Sequence, residues 1–158
     1  MILIYYFIVF SLSFVGMEFI AWFSHKYIMH GCLWNLHKDH HTGGKHTVET
    51  NDLFSLIFAL PSFLFIFCGL MFQLYTLVAI GFGMTAYGIA YFCVHDVFIH
   101  QRIKLFRNID SAYFRAVRRA HKLHHKHLGK ENSESFGFLF VKKKYYEIDP
   151  KQNVEQIK

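Results

Sequence analysis

Ten of the twelve histidines fall into four short clusters. His25 and His30 are followed by His37, His40 and His41. The same two spacings return as His95 and His100, then His121, His124 and His125. Only His46 and His127 stand outside this repeated HxxxxH, HxxHH pattern. Imidazole is a strong ligand for iron, zinc, copper and nickel, and two copies of a two-part pattern point to a site for more than one metal ion. Metal-scavenging tracts are uninterrupted runs, and these histidines are spaced. Structural zinc sites close with four ligands, usually including Cys, whereas Cys32, Cys68 and Cys93 show no CxxC spacing. The Glu-x-x-His pairs of carboxylate-rich metal bundles are absent too. Nitrogen therefore dominates the expected ligand set.

Within His37, His40 and His41 the spacings are i, i+3 and i+4, which place all three on one helix face. His40 and His41 still diverge by about 100° at 3.6 residues per turn. Such a triplet can give two rings to one ion while the third leans toward another, and His121, His124 and His125 repeat it. The i, i+5 pairs His25/His30 and His95/His100 differ, lying roughly 140° apart on a regular helix. Each pair must either serve different ions or sit on a π-bulge, a feature frequent at functional sites. Ten imidazoles shared between two ions give about five each, leaving an octahedral ion one open position, as oxygen-activating iron requires.

These residues must be positioned by elements of unusual composition. The chain of 158 residues is 53% hydrophobic and 19% aromatic, yet carries a net charge of +6. That combination conflicts in a soluble protein and agrees in a membrane protein with one basic face. Residues 2–23 hold a single charged residue, Glu18, and residues 53–94 hold none. A bilayer span needs about 20 apolar residues, so the first stretch supplies one crossing and the second supplies two, turning near Gln73-Leu74-Tyr75. Three of the seventeen Lys and Arg lie between Lys26 and Lys45, and the other fourteen between Arg102 and Lys158. By the positive-inside rule both basic segments are cytoplasmic. Three crossings with the N-terminus outside then put every histidine cluster on the same side. The expected fold is an all-α integral membrane protein of about three transmembrane helices, with a cytoplasmic helical cap carrying a histidine-rich di-metal site. Residues 1–141 form the membrane-embedded domain and 142–158 a solvated basic tail. The N-terminus lacks the basic region and cleavage site of a secretory signal.

Glu18 sits seven residues before His25, on nearly the same helix face. An intramembrane carboxylate is costly and functional by default, so Glu18 is expected to accept from and orient a ligating imidazole. His46 reads as a surface residue in the loop around Thr42-Gly43-Gly44. Asn51 and Asp52 precede the second span, where either helix capping or support of the metal site fits. Asp96, between His95 and His100, is a further expected partner of an imidazole. Pro61 should kink the second span. Gly81, Gly83, Ala86, Gly88 and Ala90 should let the third approach its neighbours closely. Asn108–Ser111 starts an amphipathic helix running to about His127. Its inner face carries Phe114, Val117, His121 and His124. Arg115, Arg118, Arg119, Lys122 and Lys126 on the other faces are expected to meet anionic lipid or an acidic protein. No nucleic-acid-binding motif accompanies that charge. Ser135-Phe-Gly-Phe-Leu-Phe-Val141 is apolar but too short to span, and should pack beneath the metal site.

In these motifs the chain resembles the bacterial β-carotene hydroxylases, within the fatty acid hydroxylase and sterol desaturase superfamily of membrane di-iron enzymes. The resemblance runs from about Met17-Glu18 to Phe140. It rests on the histidine clusters with Leu33-Trp34, Asn51-Asp52-Leu53-Phe54, Val94-His95-Asp96, His100-Gln101-Arg102, Ala120-His121 and Ser135-Phe-Gly-Phe-Leu139. It implies hydroxylation at carbon 3 of each β-ionone ring, from β-carotene through β-cryptoxanthin to zeaxanthin. It also implies two iron ions held by His25, His30, His37, His40, His41, His95, His100, His121, His124 and His125, with no catalytic residue beyond the metal centre. The absence of a transit peptide fits a bacterial member placed in the inner membrane.

An unactivated C–H bond offers no easy proton to an acid or base, so O2 is the expected co-substrate. No Gly-rich dinucleotide motif is present, so electrons are expected from a ferredoxin or an NAD(P)H-dependent reductase docking on the basic face. The expected partners are that donor, a carotenoid drawn from the bilayer, and membrane lipids. Two competing readings are a hydroxylase or desaturase of another lipid (fatty acid, sterol or other carotenoid) and a membrane metal or haem transport protein. Transport predicts ligands near the bilayer midplane rather than clustered at one interface.

Overall fold

The computed structural model describes every residue except 44–47, 107, 110, 132–133 and 148–158. His46 and most of the basic tail lie outside the described residues. All regular secondary structure among the described residues is helical, with no strand. Five α-helices follow in order: α1 (Ile2–Phe23), α2 (Trp34–Thr42), α3 (Leu53–Met71), α4 (Tyr75–Phe92) and α5 (Ala112–Lys126). Short 3-10 turns at Thr50–Asp52 and Lys143–Tyr145 precede α3 and follow α5.

Three helical stretches are long and apolar enough to cross a bilayer: Ile2–Cys32, Thr50–Met71 and Tyr75–Ile99. Phe7, Leu12 and Phe19 on α1, Leu56, Leu60 and Phe63 on α3, and Phe82 and Ile89 on α4 all point outward. So much outward apolar surface has its match in lipid, where the helix satisfies its own backbone. Between α3 and α4 the chain turns at Phe72–Leu74, with Gln73 left-handed at φ 56°. Helix α3 runs through Pro61 without an assigned break.

Helix α4 packs against both α1 and α3. A Cβ at Gly81 would lie 2.9 Å from the Ser62 carbonyl oxygen of α3, and one at Gly83 2.7 Å from Ser13 Cβ of α1. Hydroxyls tie the same seams: Ser13 donates to the Ile80 carbonyl at 2.9 Å and Ser62 to that of Gly81 at 2.9 Å. Small residues and inter-helix hydroxyl bonds are how apolar helices hold together where lipid removes the hydrophobic drive. Gly88, expected in the same role, touches no neighbour and faces a cavity instead.

Both HxxxxH pairs are built on π-helix, with His25 and His30 inside one and His95 inside the other, which His100 caps. Ser24–Cys32 continues α1, and Cys93–Ile99 continues α4. The His100 amide bonds to the His95 carbonyl at 2.9 Å, and Leu33 to Ile28 at 2.9 Å, each spanning five residues. The wider turn brings positions i and i+5 onto one face, which resolves the two alternatives left by the spacing.

Helix α5 begins at Ser111, whose side chain accepts from the Phe114 amide. It buries Ala116, Val117, Ala120, His121 and His124, while Phe114 packs on Phe98. Two residues expected on the outward basic face turn back to the protein. Arg118 stacks on Phe98 4.2 Å from its ring centroid and donates to the Phe98 carbonyl. Arg119 donates to the Tyr145 and Glu147 carbonyls at 2.7 and 2.8 Å. These carbonyls, near the ends of the short Cys93–Ile99 and Lys143–Tyr145 turns, offer acceptors fixed by the fold. Lys122 and Lys126 remain exposed.

Candidate metal centre

The loops and helix ends at one end of the bundle bring all ten clustered histidines together. Nitrogens of His25, His30, His37, His41 and His124 lie within 4.8 Å of one another, as do those of His40, His95, His100 and His121. His125 adjoins the second set, its Nε2 2.8 Å from that of His121. Each HxxHH triplet is split between the sets. Helix α2 gives His37 and His41 to the first and His40 to the second; α5 gives His124 to the first and His121 and His125 to the second. His127 is exposed.

Six of these rings have an oxygen beside Nδ1. His25 faces the Phe136 carbonyl at 2.9 Å, His30 the Leu128 carbonyl at 3.0 Å and His124 the Glu134 carbonyl at 3.2 Å. His37 faces Asn51 Oδ1 at 2.6 Å, His40 Glu49 Oε2 at 3.0 Å and His95 Asp96 Oδ2 at 3.1 Å. Carbonyls and carboxylates only accept, so each of these nitrogens carries the ring's one proton and leaves Nε2 as a bare lone pair.

Those lone pairs point at each other. The Nε2 atoms run His30–His124–His25–His37 in steps of 3.2, 3.1 and 3.1 Å, and His37 to His41 adds 3.1 Å. In the second set, His40 to His95 is 3.2 Å and His100 to His121 is 2.8 Å. Among His30, His124, His25 and His37, and between His40 and His95, the facing nitrogens have no proton between them. Such neutral rings repel at this distance, whereas a cation at their common focus would attract them. Two nitrogens bound at right angles to an ion about 2.1 Å away stand about 3.0 Å apart, against about 3.4 Å around a tetrahedral ion. The observed spacing is closer to the first of these, and the donors suit iron.

Burial keeps His37, His41 and His124 neutral and ready to ligate. It is the main cause holding His37 down to about 3 and, ahead of the charge of neighbouring imidazoles, His41 and His124 each down to about 2. His41 Nδ1 is buried without a partner.

Glu18 is buried as an intramembrane carboxylate should be, but it does not accept from an imidazole. Its Oε2 accepts from the Tyr87 hydroxyl at 2.7 Å, and its Oε1 from the backbone amides of Leu139 and Phe140 at 2.8 and 3.3 Å. The segment 134–141 is threaded under the histidines against α1 and α4, where Phe138 packs with Met17 and Tyr87. Asp96 does face His95. Asp52 receives both terminal nitrogens of Arg102 at 2.7 Å and the Glu49 amide at 3.1 Å. Both roles posed for Asn51 and Asp52 occur: Asn51 meets His37, while Asp52 closes a capping box with Glu49 at the 3-10 turn and is linked through Arg102 and Asp96 to His95. Glu49 and the Phe136, Leu128 and Glu134 carbonyls were not singled out in the sequence. Glu49, nine residues beyond His40, was the most visible of these.

Below the histidines a cavity of about 430 Å³ opens between α1, α3 and α4. Its walls include Met17, Phe54, Phe58, Tyr87 and Tyr91, and its roof includes His25, His37 and His95. Rings from both sets thus look into one apolar chamber.

Fold and site together define a helical membrane protein with a histidine-walled metal chamber above a lipid-like pocket. Residues 10–142 match the fatty acid hydroxylase family, and the chain belongs to it. It is 47% identical over 128 residues to a beta-carotene hydroxylase of Pantoea ananas, covering 80% of this chain and 72% of that one. It is 43% identical over 132 residues to a beta-carotene hydroxylase of Pseudescherichia vulneris, covering 84% and 74%. A chloroplastic beta-carotene 3-hydroxylase of Arabidopsis thaliana is 35% identical over 147 residues, 90% of this chain and 46% of that one. No solved structure matches the chain.

Proposed function

We propose that the chain is a β-carotene 3-hydroxylase, converting β-carotene through β-cryptoxanthin to zeaxanthin. The observation that carries this is the apolar cavity whose roof holds His25 and His37 of one set and His95 of the other. A cavity of about 430 Å³ suits one end of a long hydrocarbon, with the polyene continuing toward lipid. The similarity to beta-carotene hydroxylases of Pantoea ananas and Pseudescherichia vulneris supports the choice of substrate.

The ten clustered histidines would hold two iron ions. Bound iron would supply the O2 activation that an unactivated ring C–H bond demands. The chain itself binds and orients: Phe54, Phe58, Tyr87 and Tyr91 exclude water and hold a β-ionone ring by its faces, with its reacting edge toward the imidazoles. The oxygen partners at Nδ1 fix ring orientation and leave Nε2 free. Electrons would come from a ferredoxin or a reductase, for which exposed Lys122 and Lys126 on α5 offer a cationic landing face. The distribution of Lys and Arg supports an N-terminus outside and a cytoplasmic metal centre, and the similarity to bacterial hydroxylases supports residence in a bacterial inner membrane. A metal or haem transport role fits less well, because the histidines gather at one end of the bundle rather than along a path through it.

Expression in a β-carotene-producing bacterium, followed by pigment chromatography, tests this reading. The expected products are β-cryptoxanthin and zeaxanthin. Unchanged β-carotene from a membrane-inserted, iron-loaded protein would overturn it.

A further inference from the structure

The two histidine sets are braced by different chemistry. In the five-histidine set, His25 and His124 come from chain segments 99 residues apart, yet their Nε2 atoms stand 3.1 Å from each other. Both rings are gripped by one segment: the Phe136 carbonyl accepts from His25 and the Glu134 carbonyl from His124. The Phe136 ring also lies edge-on to His25, His30 and His124. This strap has little regular structure of its own, and Ser135 is left-handed at φ 61°. It is anchored elsewhere. Glu18, 6% exposed, takes the Leu139 and Phe140 amides and the Tyr87 hydroxyl. Gly137 lies so close that a Cβ there would fall onto the Glu18 carboxylate. Tyr113 adds a bond to the Phe138 carbonyl at 2.7 Å.

The four-histidine set has an ionic frame. His40 bonds to Glu49, the Glu49 amide to Asp52, Asp52 to Arg102, Arg102 to Asp96 and Asp96 to His95. The network begins and ends on two imidazoles whose Nε2 atoms are 3.2 Å apart. Among the described residues the strap's hydrogen bonds to imidazoles all fall in the five-histidine set, and this network's all fall in the other.

We propose that Glu18 is a positioning residue for the five-histidine ion, acting through the 134–140 strap, and that Arg102 independently positions the four-histidine ion. A carboxylate placed inside a membrane span is thus retained to hold a non-helical strap whose backbone carbonyls aim two ligands. Removing either anchor loosens one set and leaves the other closed.

The proposal rests on the two-ion reading above, and the test separates them. Full-length protein in detergent is loaded with iron anaerobically, iron per chain is counted, and Mössbauer spectra are recorded. Wild type is expected to hold two ions in distinguishable environments; fewer would overturn the two-ion reading itself. Glu18→Ala is expected to fall to one ion, and Arg102→Met to one ion with the complementary spectrum. Glu18→Gln keeps an acceptor oxygen for the two amides and should retain more iron than Glu18→Ala. Tyr87→Phe removes one of the three bonds and should show the Glu18 pattern in weaker form, which covers the case of an Ala variant that does not insert. Two ions retained in both Glu18→Ala and Tyr87→Phe would overturn the proposal. So would loss of both ions together, or identical spectra from Glu18 and Arg102 variants.

Discussion

Nδ1 of His40 lies 3.0 Å from Oε2 of Glu49, a carboxylate nine residues away across the connection between α2 and α3. Three residues earlier on the same helix, His37 faces the uncharged Asn51 amide. One helix thus presents an imidazole backed by an anion to one set and an imidazole backed by a neutral group to the other. An anionic partner raises ligand basicity, and losing such a partner typically costs about 10–100-fold in metal affinity or activity. Glu49→Gln preserves shape and removes the charge. It should lower iron affinity or hydroxylation by about that factor, read by iron titration and pigment yield. Wild-type values in both would show that the carboxylate only spaces the helices.

Replacing His37, His40, His121 or His124 with Ala should abolish hydroxylation while leaving the protein in the membrane fraction, because each Nε2 stands within a converging set. His127→Ala should stay active, since that ring is exposed at the end of α5. Membrane fractionation with pigment chromatography reads both arms. Retained activity in the His40 or His121 variants would break the assignment of the second set.

Gly88 touches no neighbour and lines the cavity, so a side chain there would occupy substrate space rather than strain the helix seam. Each methylene of misfit in an apolar pocket is worth about 10–200-fold in discrimination. Gly88→Leu should therefore cut hydroxylation by at least about tenfold with iron content unchanged. A fall in iron content alongside activity would place Gly88 in helix packing instead.

Much of this site was legible because histidine is rare, chemically specific and periodic. The i, i+5 pairs forced a choice between two ions and a π-turn, and the triplets announced that their members would diverge. Gly81 and Gly83 likewise signalled close helix seams. What stayed hidden has no residue-type signature. The Phe136, Leu128 and Glu134 oxygens that orient three rings are backbone carbonyls, available at any position. Glu18 was visible as a costly carboxylate, but its partners at Leu139 and Phe140 lie 121 and 122 residues away, beyond the reach of any helical period. The outward reading of Arg118 and Arg119 failed for a related reason: amphipathic spacing gives a direction on one helix and says nothing of the segment that later covers it.

The metal-free protein should lose stability in acid. His37, His41 and His124 sit well below their ordinary value of 6.5, mainly through burial. Between 6.5 and those lowered values the unfolded chain binds protons that the folded chain does not, so stability rises with pH. Their contribution is complete above 6.5 and is progressively lost as pH falls below it. Thermal unfolding of metal-free protein in detergent should show a midpoint that drops steadily from about pH 7 to pH 5. A midpoint that is flat or rises over that interval would contradict the neutral, buried state of these rings.

The two rings of β-carotene should be hydroxylated in separate binding events. The histidines gather at one end of the bundle, and one cavity leads to them from between α1, α3 and α4. The hydrocarbon core is about 30 Å thick, so a rigid C40 polyene reaching in from the bilayer presents one ring to that end at a time. Modifying the second ring requires the molecule to leave, reverse and rebind, or to pass to another chain. The first hydroxyl adds polarity to the end just modified, and a polar end is drawn from the apolar chamber toward the headgroup region. A time course with excess β-carotene should therefore show free β-cryptoxanthin rise and then fall before zeaxanthin accumulates. Zeaxanthin accumulating from the outset, with no free β-cryptoxanthin while β-carotene is still in excess, would mean that the polyene turns around, or is reached from both ends, without leaving the protein.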